Sequence, residues 1–333
     1  MIRLLLGVLV VASLGWSGYW WVGATAKKTA IQAWLDRPEA TAAEVRVTGF
    51  PNRFDTVMTD LALVDPQTGW RWSTPSLRIY ALSYQPNKVI ATLAPRQTLD
   101  GMGQSLSIAS DRMAASLHLF AGPDLALRET IVETRALRVT SDQGWAVGLS
   151  SGQLALRAVP EPGAPENSYE IDVRAADLTL PEPVRRQLDP TAALPATIGP
   201  VHARATPVLD KPLDRHAGDG APPALRSVDI DRVALTWGPL TITASGALIA
   251  DSLGRADGSL SVEAENWPAM LVLAENAGAI GAAEAQTLRR ALTAAALTTG
   301  DAARLKIRLN FSGGRTRLGP IPIGPAPQIR YLQ

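Results

Sequence analysis

Residues whose type and spacing could do chemistry are few in this chain. The string G-L-S-S-G at 148–152 matches the G-x-S-x-G of a nucleophile elbow, in which Ser150 would attack an acyl carbon. That string works only where a strand enters and a helix leaves. Here Leu154 and Leu156 continue a period of two, so a hairpin turn is expected instead. Acid–base work would fall to three histidines, His118, His202 and His216. His118 sits between Leu117 and Leu119 in a strand pattern, and His202 follows Pro200 in another. His216 lies in D-R-H-A-G-D at 214–219, where the acids suggest a cation, but no second histidine is near and a polar loop is the reading. Asp229 and Asp231 are two apart, so a strand would put both on one face, as paired acids require and as solvent-facing residues commonly do. P-loop, dinucleotide, H-E-x-x-H and calcium-loop strings are absent. Cysteine is absent too, which removes disulfides, thiolate metal sites and cysteine nucleophiles. The expectation is a protein that is not an enzyme, with no catalytic residue, metal ligand or cofactor to assign.

The elements that would carry any site are bounded by composition. With 333 residues, 46% of them hydrophobic, the chain can build one large or two modest domains. A formal charge of +1 gives no basic face for nucleic acid, and none is expected as a partner. Only five of the 32 basic residues are lysine, which fits a compositional bias alongside abundant Ala, Gly and Pro better than a phosphate-binding function. Tryptophan is over-represented: nine Trp stand against five Tyr and four Phe, and three of the nine fall within the first 21 residues.

Those three mark the first element. Residues 4–26 carry no charge, and the most apolar 20 of them, 4–23, would span roughly 30 Å as a helix. Trp16, Tyr19, Trp20 and Trp21 cluster at its far end, where amphipathic rings favour a membrane interface, before Lys27 and Lys28 end the run. A cleavable signal peptide is the competing reading, because A-T-A at 24–26 has the A-x-A form, yet such h-regions are commonly about 7–15 residues long. Residues 1–26 are therefore read as a retained, single-pass transmembrane anchor in the inner membrane, with the C-terminal body in the periplasm. Residues 27–40 extend the helix until Pro38 stops it.

Beyond residue 41 the period is two. Leu61/Leu63, Trp70/Trp72, Leu77/Ile79, Leu137/Val139 and Leu154/Leu156 alternate with polar neighbours in short runs bounded by Gly, Pro, Asp or Asn, the pattern of antiparallel hairpins. The cleanest run is 304–311, with Leu305, Ile307, Leu309 and Phe311 on one face and Arg304, Lys306, Arg308 and Asn310 on the other. A recurring turn-plus-Trp habit appears at Trp70, Trp145 and Trp237. Twelve prolines fall within 159–223, which predicts a connection of loops and edge strands, with a short helix at 183–188. A helical hairpin is expected at 266–298, capped by Asn266, broken near 278–281 and carrying a stripe of Leu288, Leu292 and Leu297. The organisation is thus anchor 1–26, membrane-proximal helix 27–40, first β region 41–158, Pro-rich connection 159–224, and second β region 225–333 with its helical insert. The fold class is mainly β (β-rich α+β): an elongated, curved antiparallel sheet of hairpins with a helical hairpin packed on it, preceded by one N-terminal transmembrane helix.

Five stretches resemble a bacterial envelope family catalogued as domain of unknown function 2125. They are G-F-P-N-R-F at 49–54, L-S-Y-Q-P-N-K-V-I at 82–90, D-K-P-L-D at 210–214, L-T-W-G-P-L at 235–240 and L-G-P-I-P-I-G-P-A-P at 318–327. The resemblance implies an N-terminal membrane segment and a β-rich exported body, and it supplies no catalytic residues. Read physically, Pro51-Asn52 and Pro86-Asn87 suit tight turns and the Gly/Pro-rich tail suits an extended edge. The function expected is non-enzymatic: an inner-membrane-anchored periplasmic protein that binds lipid, a lipoprotein or another apolar envelope component in a groove of its sheet. The alternatives are an envelope scaffold that holds protein partners at sheet edges and, third, a hydrolase resting on Ser150 and His216.

Overall fold

The computed structural model describes residues 2–278, 280–299, 303–319 and 321–330, with the side chains of 2–11, 291, 294–299 and 321 outside that description. The protein is mainly β with antiparallel pairing throughout the ladders below, and the chain divides into two compact units, residues 1–121 with 132–144 and residues 122–131 with 145–333.

The first unit opens on helix α1, Ile2–Leu35, which runs unbroken through the lysines. Leu and Ala favour it, and Pro38 forbids its extension. Among the described residues no helix is long and apolar enough to cross a membrane. The expected transmembrane span therefore gains no support here. In the described side chains of α1, Ser13, Gly15, Ser17, Gly18, Lys27 and Lys28 dilute the apolar ones.

Strands β1 (Ala40–Thr41), β2 (Glu44–Thr48), β3 (Asp55–Val64), β4 (Arg71–Leu82), β5 (Gln85–Leu93), β6 (Arg96–Gly101), β7 (Gln104–Ala109), β8 (Arg112–Leu119) and β9 (Leu127–Ser141) follow. The first five residues of β9 count with the second unit. β4 changes partner along its length: Arg71–Ser73 pair with β6 and Leu77–Leu82 with β5. Pro75 lies between these two stretches, and Asp60 of β3, facing it, has a φ of 48°. A proline cannot donate to a ladder, so its position allows the sheet to split there into β5–β8 and β6–β7–β9. Leu61, Met58 and Phe54 are buried inside. Pro86 and Asn87 differ from expectation. The turn is Ser83-Tyr84, and Pro86 and Asn87 already belong to β5, where the Asn87 side chain donates to the Leu119 carbonyl at 2.7 Å.

The second unit is a meander with three helices. Its main strands are β10 (Ala146–Ala158), β11 (Tyr169–Ala176), β14 (Val201–Leu209), β15 (Leu225–Trp237), β16 (Leu240–Ala250), β17 (Ala256–Glu265), β18 (Arg304–Ser312), β19 (Arg315–Leu318) and β20 (Ile321–Pro325), each paired with the next in that order. The short pair β12 (Leu178–Thr179) and β13 (Thr197–Ile198) flanks helix α2, Glu182–Leu188. The Pro-rich region is thus no edge. β11 has β10 on one side and β14 on the other, and β14 lies between β11 and β15. The reason is where the prolines fall: of the twelve, only Pro207 is inside a strand, beside an irregularity in the β14–β15 register at Val208/Leu209. A count over the whole stretch mixes crowded loops with two nearly proline-free strands.

Helices α3 (Trp267–Asn276) and α4 (Ala282–Thr299) form the expected hairpin on the sheet. Trp267, Leu271 and Leu292 bury against Ala264 of β17 and Leu305 of β18, with Leu288 at the margin; the side chain of Leu297 lies outside the described residues. Burying such side chains stabilises by about 1.5–3 kcal/mol each. Asn266 does occupy the position before α3, but in a left-handed conformation and with no side-chain hydrogen bond to the helix, so Pro268 in the first turn, rather than a side-chain cap, suits the start. β18 alternates as its sequence requires: Leu305 and Phe311 are buried, while Arg304 and Lys306 pair at 2.6 Å with Glu265 and Glu263 directly opposite on the exposed face.

Candidate functional site

The residues singled out for chemistry are dispersed. No turn interrupts 148–152: β10 runs straight through, and Ser150 Oγ donates to Asp177 Oδ2 at 2.6 Å across the β10–β11 edge. The expected hairpin turn is replaced by a strand because Ser151 and Gly152, though turn-prone, open an eight-residue register with β11, and Gly148 pairs with Thr179 of β12. His202 Nε2 lies 3.1 Å from Asp172 Oδ2, and Arg174 joins the same carboxylate at 2.9 Å. Burial pushes Asp172 upward as the largest single effect, but the His202 hydrogen bond and Arg174 together hold the carboxyl below its usual range. His216 Nδ1 contacts Asp219 at 2.9 Å within its own exposed loop, and His118 pairs with Lys88 across β8 and β5. Asp229 and Asp231 are both exposed. Ser150, His202 and His216 thus engage three different carboxylates and none engages another. Among the described residues no cluster of three or more His, Asp or Glu is placed to hold a metal.

Concave surface, rather than reactive groups, is what the second unit offers. A groove of about 660 Å³ runs between the first two turns of α4 and the β19–β20 hairpin. Its volume falls within the roughly 300–1,000 Å³ typical of small-ligand pockets. One wall is helical: Ala283, Glu284, Thr287 and Leu288 recur at the spacing that puts them on a single face of α4. The other wall is 322–325 of β20, P-I-G-P, and Ile280 also lines the groove. Pro322 and Pro325 have no N–H, so this edge strand shows the groove fewer unpaired donors than an ordinary edge would. Polar groups sit at the margin. Glu284 accepts a hydrogen bond from the Gly281 amide at 3.0 Å, fixing the start of α4, and Arg315 is exposed at the β18–β19 turn. The arrangement suits an apolar body with a polar end. A smaller recess of about 400 Å³ in the first unit lies where β4 changes partner, with Asp60, Arg96, Thr98 and Ser107 among its lining residues.

The aromatic group of α1 has its own protein surroundings. Trp16 Nε1 donates to the Pro51 carbonyl at 2.9 Å, Trp20 Nε1 to the Arg53 carbonyl at 2.7 Å and Tyr19 Oη to the Ser83 carbonyl at 2.8 Å. Phe54 stacks on Trp20 with centroids 6.0 Å apart, and Phe50 meets Trp20 edge-on at 5.4 Å. Gly23 leaves room for Phe54, since a Cβ there would lie 2.7 Å from Phe54 Cζ. Lys27 Nζ reaches the Phe54 carbonyl at 3.2 Å, and burial draws its pKa below the usual lysine range against an opposing pull from Asp55. Trp21 is the most exposed of the four, at 67%. Loop 49–54 and the turn at Ser83-Tyr84 are thereby tied to the helix. The sequence showed these rings but not their partners, which lie 33 to 64 positions away with no pattern linking them. Two of the motif stretches, 49–54 and 82–90, meet at this docking site, and the tail motif forms a groove wall.

Compared with known proteins, residues 20–327 match a family described as "Uncharacterized protein conserved in bacteria (DUF2125)", and the chain belongs to that family. No curated protein and no solved structure matches it.

Proposed function

We propose that this DUF2125 member is a non-catalytic envelope protein that takes the apolar part of a lipid, or of a lipoprotein's acyl group, into the groove between α4 and β20. The groove carries the reading. It has the volume of a ligand site, a helical wall where Ala283 and Leu288 lie beside Thr287 and Glu284, a proline-bearing strand wall, and the charges of Glu284 and Arg315. An acyl chain needs what these walls provide, a long apolar contact without unsatisfied donors, and a headgroup needs the polar rim.

The same proposal keeps the protein at the inner membrane, tethered by the start of α1, with its body in the periplasm. The support is compositional: residues 4–26 carry no charge. Retention of the segment is supported by the docking of Trp16, Tyr19 and Trp20, because cleavage after Ala26 would strip these partners from loop 49–54, and Ala24 of the A-T-A string is only 8% exposed.

The test is extraction. Full-length protein purified in mild detergent is expected to release a stoichiometric lipid into organic solvent, identified by mass spectrometry. Protein carrying Thr287→Trp, which fills the groove from an exposed helical position, should release much less. Equal lipid in the two preparations, or none in either, contradicts the proposal.

A further inference from the structure

We propose that loop 49–54 and the Leu82–Tyr84 turn form an aromatic collar that seats the first unit on the lipid bilayer, around the point where α1 leaves the packed body. This rests on reading the start of α1 as a membrane tether and adds a second, independent contact with the same surface.

The exit point is set by packing. Along α1, residues 12–15 are exposed, Leu14 at 67%, and a Cβ at Gly15 or Gly18 would meet nothing within 4 Å. From Trp16 onward the helix is held by the body. Two loops flank that level, and each presents an aromatic ring outward: Phe50 is 56% exposed and Tyr84 60%, with Leu82 also exposed beside the latter. Exposed apolar groups clustered in this way mark an interaction surface more than chance placement.

The chemistry favours a bilayer as the occupant. The uncharged run of α1, 4–26, passes the collar and continues away from the body through residue 4, so whatever accepts its first part lies against the collar as well. The polar tips of Trp16, Tyr19 and Trp20 are bonded to backbone carbonyls of the two loops, which lets the rings approach an apolar boundary with their donors already satisfied. Lys28, exposed about two turns beyond Trp20, supplies positive charge for anionic headgroups, while Arg53, whose guanidinium sits 5.2 Å over the Tyr80 ring, is paired at 3.0 Å with Asp55. Rings at the boundary with a cation beyond them is an arrangement an interface selects.

The chain has no cysteine, so single reporters can be placed cleanly. Full-length F50C, Y84C and, as a control, Q67C would each carry an environment-sensitive fluorophore and be reconstituted into vesicles of phosphatidylethanolamine and phosphatidylglycerol. Gln67 lies in the turn at the opposite end of β3, roughly 33 Å along a ten-residue strand. The collar predicts blue-shifted emission and several-fold stronger quenching by headgroup-region spin-labelled lipid at 50 and 84 than at 67. It also predicts that vesicles slow amide exchange of 49–54 in the unlabelled protein. Protein that floats with the vesicles while all three reporters respond alike, and 49–54 exchanges unchanged, overturns the collar and leaves the tether standing. Protein that fails to float overturns both.

Discussion

Trp20 shows how one residue can be read correctly by type and incompletely by role. Its ring packs between Phe50 and Phe54 and its indole donates to Arg53, so it holds a loop 33 positions away. Trp20→Ala should cost about 2–3 kcal/mol, below the about 3–5 kcal/mol of a fully buried Trp because the residue is half-buried. Denaturant unfolding followed by circular dichroism checks it, and a change under 0.5 kcal/mol would show the docking to be energetically idle. Thr56 gives the opposite case. It is 0% exposed and its hydroxyl has no hydrogen-bond partner among the described residues. Thr56→Val keeps the shape and removes the orphan group, so stability should rise by about 1 kcal/mol. Neither effect was legible beforehand: an aromatic cluster before two lysines reads locally as a membrane boundary, and nothing near Thr56 marks it as buried.

Elements were more legible than contacts wherever their signal was local. The alternation at 304–311 and the 3.6-residue spacing of Leu288 and Leu292 each need only a dozen neighbours, and both reappear as β18 and α4. The Pro-rich stretch failed because proline content was averaged across loop and strand, and G-L-S-S-G failed because pairing with β11 at Ser151-Gly152 and with β12 at Gly148 overrides turn propensity. The turn between β16 and β17 offers a test at this scale. Asp251 accepts from the Leu253 and Arg255 amides and pairs with the Arg255 guanidinium; the Arg255 amide is the largest influence, and the carboxyl is held below its usual range. A carboxylate held down in the folded state adds stability that is fully present above its unfolded value, about 3.9, and is lost as pH falls through the folded value. The second unit should therefore weaken below about pH 4, and Asp251→Asn should flatten that acid limb in unfolding curves recorded across pH. In the same turn Gly254 has a φ of 78°, and a Cβ there would lie 1.9 Å from the Arg330 carbonyl, so no other residue fits without moving the tail. Gly254→Ala should cost about 1–3 kcal/mol and expose 326–330 to limited proteolysis, because the Ile329 and Arg330 amides both bond the Gly254 carbonyl.

At the scale of the whole molecule, the sequence specified a mainly β protein of family DUF2125. Ser150, His202 and His216 each engage a local carboxylate, while the groove between α4 and β20 combines Ile280, Leu288, Pro322, Ile323 and Pro325 with Glu284, Thr287 and Arg315. The helix and the Gly/Pro tail that form that groove were visible separately in the sequence, but their meeting depends on β18 and β19 bringing distant segments together. Whether this groove binds an acyl-bearing ligand is decided by titration of full-length protein with a fluorescent fatty acid. The expected result is saturable binding at one site per chain, weakened about tenfold or more, about 1.4 kcal/mol, by Thr287→Trp. Binding that does not saturate, or that is as strong in the filled-groove variant as in the parent, would contradict it.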